Sequence, residues 1–319
     1  MENIRVITIS EGAAGMKSQT QGLANLINPN FQDFDIKIKS LFEKLPIQLI
    51  PSKEFVYENL DEIKIDDITI VISCGKKSVK ASIALKKKFK PFVFNIHIQN
   101  PKTNFELFDL IICPEHDNLF KPNTISTLLA LHNIKFNKGT RIQNKINFII
   151  GGSSKYFRFK ENIFHKFYEE ILFLSNKYMV NVIPSRRTPL AFIEKLKKMN
   201  LENIFIFEDQ FNPVEYGKLL SQAEVQIVTW DSISMISEAI SSGAKTLIFP
   251  FEEKSCPKRY KNFYDRIIEE NFISIYNRDL QAPTPDLNKY NSELKSKILN
   301  KIESNLCFKL DEFKRINTQ

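Results

Sequence analysis

Residues 68–88 read ITIVISCGKKSVKASIALKKK, and this stretch decides the fold class. Residues 68–74 are mainly apolar without alternation, which is typical of a strand buried on both faces of a sheet. Gly75 ends the strand, and Val79, Ile83 and Ala84 then recur on one face of a helix. A strand followed directly by a helix predicts a parallel sheet, because parallel neighbours need a crossover connection.

The same alternation of apolar strands and amphipathic helices continues on both sides of this unit. The other strands predicted before the polar stretch 137–144 are 4–10, 34–39, 92–98 and 109–114, with a helix over 17–27. The strands predicted after it are 146–152, 180–185, 203–207, 225–229, 245–250 and 272–276. The helices between those strands are predicted at 160–176, 190–198, 213–222, 232–241 and 258–270.

This order predicts an α/β protein with two Rossmann-like, doubly wound domains that face a cleft. We expect the first domain to span residues 1–142 and the second to span 143–319. The last helix, 290–306, has no strand after it, and we expect it to pack back across the junction.

Composition bounds the function classes. The chain has 319 residues, of which 43% are hydrophobic and 26% charged, and its net charge is +8. Of the 45 basic residues 36 are lysines, and they are spread along the chain without a stripe of interleaved aromatic residues. This pattern argues against nucleic acid as a partner and is usual for a solvated surface, although it would favour anionic ligands or an anionic membrane face.

The chain shows no signal peptide and no apolar run of about 18 residues, so we expect a cytoplasmic protein, peripheral at most at the inner face of the cytoplasmic membrane. The four cysteines lie far apart and are expected to be buried free thiols: Cys74, Cys113, Cys256 and Cys307. No cluster has metal-ligand spacing, so we expect no metal and no cofactor.

Ligands of open parallel sheets bind beyond the carboxyl ends of the strands, so the loops after the strands are the candidate site. In the second half these loops begin at Gly151, Ser185, Glu208, Trp230 and Phe251. The stretch GGSS, 151–154, offers free backbone amides to a phosphate, although two glycines alone also fit a plain turn. The stretch SRRT, 185–188, places two arginines where at least one guanidinium could reach a phosphate, although a surface arginine pair before a helix also fits.

The stretch TWDSISMISEAISSG, 229–243, predicts a helix with its N-terminus at the same edge. Either Asp231 or Ser232 caps this helix, and we assign Asp231 to capping because a carboxylate repels phosphate. Glu238 lies about two turns further on, where it could accept hydrogen bonds from a ribose diol. Spacing alone leaves open that Glu238 is a solvated helix residue.

The loops of the first half are expected to hold an acceptor. The stretch EGAAGMKSQ, 11–19, lacks the spacing of a nucleotide-hydrolase P-loop but can wrap an anionic group. His116 follows a strand and can take a proton from an acceptor hydroxyl, oriented by Asp117 or Glu115, although a packing histidine fits equally well. His97 lies in an apolar stretch and is expected to be structural.

Several motifs resemble the mitochondrial-fission Elm1-like family in its bacterial form, which shares the GT-B glycosyltransferase fold. They occur in family order over nearly the whole chain: EGAAGMKSQTQGLA, IHIQNP, FDLIICPEHD, FIIGGSS, SRRTP, NPVEYGKLLSQAE, TWDSISMISEAISSG and KRYKNFYDRIIEENFI. Ala244–Lys245 departs from the Lys-Pro of the pattern, and residues 121–134 match poorly. The resemblance implies that the second domain binds a nucleotide sugar, with Glu238 on the ribose.

We therefore expect a metal-independent transfer of sugar to a lipid-linked or cell-envelope acceptor. The candidate catalytic residues are His116, Asp117 and Glu11. The candidate substrate-binding residues are Gly152, Ser153, Ser154, Ser185, Arg186, Arg187, Thr188, Asp231, Ser232, Met235, Glu238, Lys17, Ser18, Gln19 and Gln99. Two alternatives stay open, a sugar-nucleotide 2-epimerase on the same fold and a non-catalytic scaffold of the Elm1 type.

Overall fold

The computed structural model describes residues 4–137, 139–208, 212–251 and 257–317. Contacts divide the chain into two compact units. Unit 1 comprises Met1–Asn133 and Asn288–Gln319, and unit 2 comprises Ile134–Leu287. The long C-terminal helix therefore groups with the N-terminal residues.

The strands in chain order are β1 Arg5–Ser10, β2 Gln32–Asp35, β3 Thr69–Cys74, β4 Val93–Ile98, β5 Leu110–Pro114, β6 Thr124–Thr127, β7 Ile142–Ile150, β8 Met179–Pro184, β9 Ile204–Ile206, β10 Ala223–Thr229, β11 Lys245–Phe249 and β12 Ser274–Ile275. The helices are α1 Ala14–Ile27, α2 Ser40–Glu43, α3 Ser78–Lys88, α4 Glu161–Ser175, α5 Leu190–Lys198, α6 Pro213–Gln222, α7 Ile233–Ser241, α8 Lys258–Glu269 and α9 Leu287–Asn317.

Each unit is built on one parallel six-stranded sheet. The strand order is β2-β1-β3-β4-β5-β6 in unit 1 and β12-β11-β10-β7-β8-β9 in unit 2. Every neighbouring pair within these sheets is parallel. The predicted α/β class and the six strands of the second half are confirmed.

Two predictions about strands in unit 1 are wrong. Strand β2 ends at Asp35 rather than continuing to residue 39, because Ile38 instead forms an antiparallel bridge with Tyr57. Strand β6 was missed, since its sequence, Thr-Ile-Ser-Thr, is too short and polar to show a strand pattern, and it lies at the sheet edge.

Burial on both sheet faces explains the continuous apolar strands of unit 1. In β1, Val6 packs into the core on one face, whereas Ile7 packs into the core on the other. Helix α9 covers the first of these faces with Ile298 and Ile302, which lie one turn apart and are fully buried. In unit 2 the core is rich in phenylalanine, as where the Phe167 and Phe249 rings meet at 5.2 Å.

The cysteine prediction holds in part. Cys74 and Cys113 are buried free thiols, and burial raises the pKa of Cys74 to about 12. Cys307 is exposed on α9, so the prediction is wrong there, because a one-residue step around the helix moves its side chain off the buried stripe that includes Leu306. Cys256 lies outside the described residues.

None of the helices in the described ranges combines the length and the apolar character that crossing a bilayer requires.

Candidate functional site

The strand order of unit 2 gathers three of the predicted loops at one edge of the sheet. Strand β7 lies between β8 and β10, and all three run in the same direction. The loops that begin at Gly151, Ser185 and Trp230 therefore meet at the carboxyl edge. Of the other two predicted loops, residues 209–211 and 252–253 lie outside the described residues.

Gly151 and Gly152 serve close packing of these loops. The Gly151 amide donates to Thr229 Oγ1 at 2.8 Å, and the Gly152 amide donates to Asp231 Oδ2 at 3.2 Å. A Cβ atom on Gly152 would lie 1.9 Å from the carbonyl oxygen of Arg187. The prediction that these amides are free for a phosphate is wrong, because the side chains of Thr229 and Asp231 already accept hydrogen bonds from both.

Asp231 joins the three loops. Its carboxylate is fully buried and accepts from Arg187 Nη2 at 2.6 Å and from Thr229 Oγ1 at 2.7 Å. Arg187 also donates through Nη1 to the carbonyl oxygen of Gly152 at 2.8 Å. Burial raises the pKa of Asp231, whereas Arg187, Thr229 and the Gly152 amide act in the opposite direction.

The helix cap differs from the one predicted. The N-cap of α7 is Ser232, whose Oγ accepts from the Met235 amide at 3.4 Å. Assigning Asp231 to the cap is wrong, since its carboxylate is turned into the buried ion pair with Arg187. Ser232 and Met235 thus lie at the N-terminus of α7, as predicted, but the cap hydroxyl is already engaged.

The remaining hydroxyl groups of the edge hold their own loops. Thr188 Oγ1 lies 2.8 and 2.7 Å from the carbonyl oxygens of Ile150 and Gly151. Ser185 Oγ accepts from the Arg187 amide at 3.2 Å. Ser153 Oγ and Ser154 Oγ accept from backbone amides of 156–159 at 3.1–3.2 Å. These contacts shape the edge, where the side chains of Arg186 and Arg187 are exposed.

Two guanidinium groups remain accessible at this edge. The Arg187 side chain is 36% exposed, although two of its nitrogens are engaged by Gly152 and Asp231. Arg186 is exposed and forms no ion pair or hydrogen bond with the residues that the structure describes. A guanidinium has five N–H donors, so Arg187 keeps donors for a ligand while its position is fixed.

Glu238 lies on α7 and is only partly exposed. The Tyr216 hydroxyl, from α6, donates a hydrogen bond to its carboxylate. Burial raises the pKa of Glu238 to about 7, and the bond from Tyr216 opposes that rise. The interpretation of Glu238 as a fully solvated helix residue is therefore wrong.

In unit 1 the predicted anion loop is engaged by acids. Lys17 Nζ lies 2.9 Å from carboxylate oxygens of both Asp33 and Asp35, which raise its pKa. Glu11 Oε1 accepts from the Lys77 amide at 2.9 Å, at the start of α3. The expectation that Lys17 serves an anion is weakened, because two carboxylates already neutralise it.

The other predicted residues of the first loop bond to neighbouring side chains. Ser18 Oγ donates to Asn133 Oδ1 at 2.8 Å. Gln99 Nε2 donates to Gln19 Oε1 at 3.3 Å, so these two predicted residues do meet. Gln99 has a φ of 81°, an unusual value for a residue other than glycine.

His116 and Asp117 lie in a 3₁₀ turn, Glu115–Asp117, directly after β5, and both are half-buried. Their catalytic role stays a prediction. His97, in contrast, is buried with its Nδ1 2.8 Å from Ser73 Oγ, and burial lowers its pKa to about 3. This environment fits the structural role predicted for it.

Within the described residues, no group of three or more His, Cys, Asp or Glu side chains could hold a metal ion. Two residues of the unit 2 site, Thr229 and Tyr216, were not predicted from the sequence. Thr229 could have been found, because it is a polar residue at the end of a buried strand next to Asp231. No sequence pattern indicated Tyr216, because it meets Glu238 only through the tertiary packing of α6 and α7.

The sequence matches the family model described as "Mitochondrial fission ELM1" over residues 14–296. It is 27% identical to an uncharacterized protein of Rickettsia prowazekii (strain Madrid E), over 87% of this chain and 92% of that protein. It is 23% identical to the mitochondrial fission protein ELM1 of Arabidopsis thaliana, over 56% of this chain and 50% of that protein.

Among solved structures, a UDP-N-acetylglucosamine 2-epimerase matches with a TM-score of 0.49 and 16% identity, over 96% of this chain and 90% of that chain. MurG of Acinetobacter baumannii matches with a TM-score of 0.47 and 13% identity, over 95% of each chain. Similarities of this size carry no information about activity.

Proposed function

The chain belongs to the mitochondrial fission ELM1 family, and we propose that unit 2 binds the diphosphate and ribose of a nucleotide sugar at the carboxyl edge of its sheet. The observation that carries the proposal is the fixed but accessible guanidinium of Arg187, held by Asp231 and the Gly152 carbonyl. A cation whose position is set before the ligand arrives loses little conformational freedom on binding.

The diphosphate is assigned to the arginines and the N-terminus of α7. Arg187 and the accessible Arg186 supply forked N–H donors, which match phosphate oxygens. The N-terminal turn of α7, whose Met235 amide is capped by Ser232, adds the positive end of the helix dipole.

The ribose is assigned to Glu238. The Tyr216 hydroxyl donates to its carboxylate, and two carboxylate oxygens can accept more hydrogen bonds than that. The two hydroxyl groups of a ribose could donate these additional hydrogen bonds. They would stabilise the ionised carboxylate, which burial alone makes unfavourable.

We extend the proposal to a transfer reaction without a metal or cofactor. Arg186 and Arg187 would stabilise the departing diphosphate, which is the charge that develops in such a transfer. His116, oriented by Asp117 or Glu115, would take the proton from the acceptor hydroxyl. The acceptor class that suits a basic protein is a lipid-linked or envelope molecule at the inner face of the cytoplasmic membrane.

The first test is binding of uridine, adenosine, guanosine and thymidine diphosphates and their sugar derivatives, measured by thermal shift and calorimetry. One nucleotide should raise the melting temperature of the wild type, and Glu238→Ala should weaken its affinity about tenfold, the value of one good hydrogen-bonded contact. Glu194→Ala, which removes an exposed acid of α5, is the matched control and should bind as the wild type does.

The second candidate function is a non-catalytic scaffold, and one observation favours it. The amides of Gly151 and Gly152 donate to Thr229 and Asp231, and the hydroxyls of Ser185 and Thr188 accept from backbone amides of their own loop, as in a loop cluster kept for its shape. Under this function no nucleotide would shift the melting temperature of the folded protein. That result would refute the nucleotide site and favour the scaffold.

Glu238 also predicts a pH dependence of stability. Its pKa is about 7 in the folded protein and 4.5 ordinarily, so the folded state holds a proton that the unfolded chain has released between those values. Stability is therefore lost as pH rises through this window. We expect Glu238→Gln to melt about 3 °C above the wild type at pH 8 and together with it near pH 4. An equal difference at both pH values, in scanning fluorimetry, would contradict this assignment.

A further inference from the structure

Residues 38–57 of unit 1 form a loop that closes on itself. Ile38 and Tyr57 form an antiparallel bridge at its base, and the Lys39 amide donates to the Val56 carbonyl oxygen at 2.9 Å. The Tyr57 hydroxyl donates to the Lys77 carbonyl oxygen at 2.7 Å and ties the base to the start of α3. The segment is thus a fixed surface feature, which we call the 38–57 loop.

The apolar residues of the 38–57 loop divide into two sets. Ile47, Ile50 and Val56 are buried and anchor the loop on the core of unit 1. Four other large side chains are 78%, 38%, 67% and 57% exposed: Leu41, Leu45, Leu49 and Phe55. Single exposed apolar residues are ordinary, but four on one short closed loop indicate a surface that meets an apolar phase.

The charges of the 38–57 loop are mostly unbalanced cations. Its two acids are neutralised from outside, Glu43 by Lys77 at 2.8 Å and Glu54 by Lys88 at 2.5 Å. Three further lysines are exposed and form no ion pair with the residues that the structure describes: Lys39, Lys44 and Lys53. The exposed apolar side chains are therefore interleaved with cations that attract negative charge.

We propose that the 38–57 loop is a docking surface for an anionic lipid bilayer. Leucine and phenylalanine side chains enter the boundary between headgroups and acyl chains, while lysines stay at the level of the anionic headgroups. Charge complementarity selects this partner over an uncharged apolar surface. The proposal rests on unit 1 alone and does not depend on a nucleotide site in unit 2.

The test is co-sedimentation of the full chain with vesicles of phosphatidylglycerol and phosphatidylcholine, compared with phosphatidylcholine alone. We expect binding to the anionic vesicles only, and a loss of affinity as salt is raised. Leu41→Ser/Leu49→Ser should bind at least tenfold more weakly, because two apolar contacts are removed. Lys39→Gln/Lys44→Gln/Lys53→Gln should bind about a hundredfold more weakly, because each lysine near an anionic surface contributes about fivefold in affinity.

Two matched controls separate this surface from general properties of the chain. Leu190→Ser/Val214→Ser removes two side chains of unit 2 that are 76% and 53% exposed. Lys166→Gln/Lys198→Gln/Lys218→Gln removes the same charge at exposed positions elsewhere. Both controls should bind vesicles within about twofold of the wild type, and all variants should keep the wild-type melting temperature, since every altered side chain is exposed or nearly so.

Three outcomes would overturn the proposal. The first is a wild type that does not sediment with anionic vesicles. The second is a loss of binding that is equal in the loop variants and the controls. The third is self-association of the wild type, seen by light scattering and abolished by Leu41→Ser/Leu49→Ser, which would identify a second copy of the chain as the occupant.

Discussion

Gly152→Ala is expected to lower the free energy of unfolding by about 3 kcal/mol, the upper part of the usual range for overpacking. The added Cβ would lie 1.9 Å from the Arg187 carbonyl oxygen and 2.2 Å from its carbonyl carbon. These are backbone atoms, so the clash cannot be relieved by a rotamer change. Either loop must move, and the hydrogen bonds from Gly152 to Asp231 and from Arg187 to Gly152 would lengthen.

Chemical denaturation checks this value, and Gly15→Ala is its matched control. Gly15 lies in the first turn of α1, and a Cβ there would meet no atom within 4 Å. Alanine is about 1 kcal/mol better than glycine in a helix interior, so Gly15→Ala should be neutral or stabilising. If Gly152→Ala and Gly15→Ala unfold at the same denaturant concentration, the close approach of the two loops is not as described. Loss of nucleotide binding in Gly152→Ala would be an additional consequence under the proposed function.

Asp231→Ala is expected to lower the free energy of unfolding by about 2–3 kcal/mol, less than for a fully buried pair because Arg187 can turn to water. The change leaves the Gly152 amide and the Thr229 hydroxyl without the carboxylate to which they donate. Arg187 would lose the contact with Asp231 that fixes its guanidinium. The guanidinium would then be less ordered at the proposed phosphate site.

A surface ion pair provides the control for Asp231→Ala. Glu269 pairs with Arg266 at 2.9 Å but is 62% exposed, and Glu269→Ala should cost no more than about 0.5 kcal/mol. Urea titrations of both variants measure the difference. The double variant Asp231→Ala/Arg187→Ala should lose less than the sum of the single variants, because the pair is coupled. Equal and small effects of Asp231→Ala and Glu269→Ala would refute the central role of Asp231.

The family and the two parallel sheets were predictable because their signals are local. The motifs resembling the Elm1-like family were confirmed by the match over residues 14–296. The strand patterns of β1, β3, β4 and β5 are runs of residues buried on both faces, which few other structures permit. Strand β6 was not predicted, because a strand at the edge of a sheet is less buried and needs fewer apolar residues.

The candidate site was predictable only as far as topology reaches. Parallel strands end at one edge, so the loops after β7, β8 and β10 had to lie together. The sequence pattern did not indicate which atoms of these loops form hydrogen bonds with one another. Asp231 was assigned to capping because a carboxylate repels phosphate, and nothing in the sequence indicated its partners Arg187 and Gly152, which are 44 and 79 residues away.

By itself, the sequence determined that this chain folds as alternating strands and helices in two parallel sheets. The reason is that burial of strands and helices requires apolar residues at regular spacings, which can be recognised along the sequence. Only the tertiary structure decided that Asp231 locks Arg187, that Tyr216 meets Glu238, and that the 38–57 loop turns Leu41 and Leu49 outward. The physical reason is that hydrogen bonds and exposure depend on the register and packing of distant elements. Those are set when the whole chain has collapsed, and no local pattern encodes them.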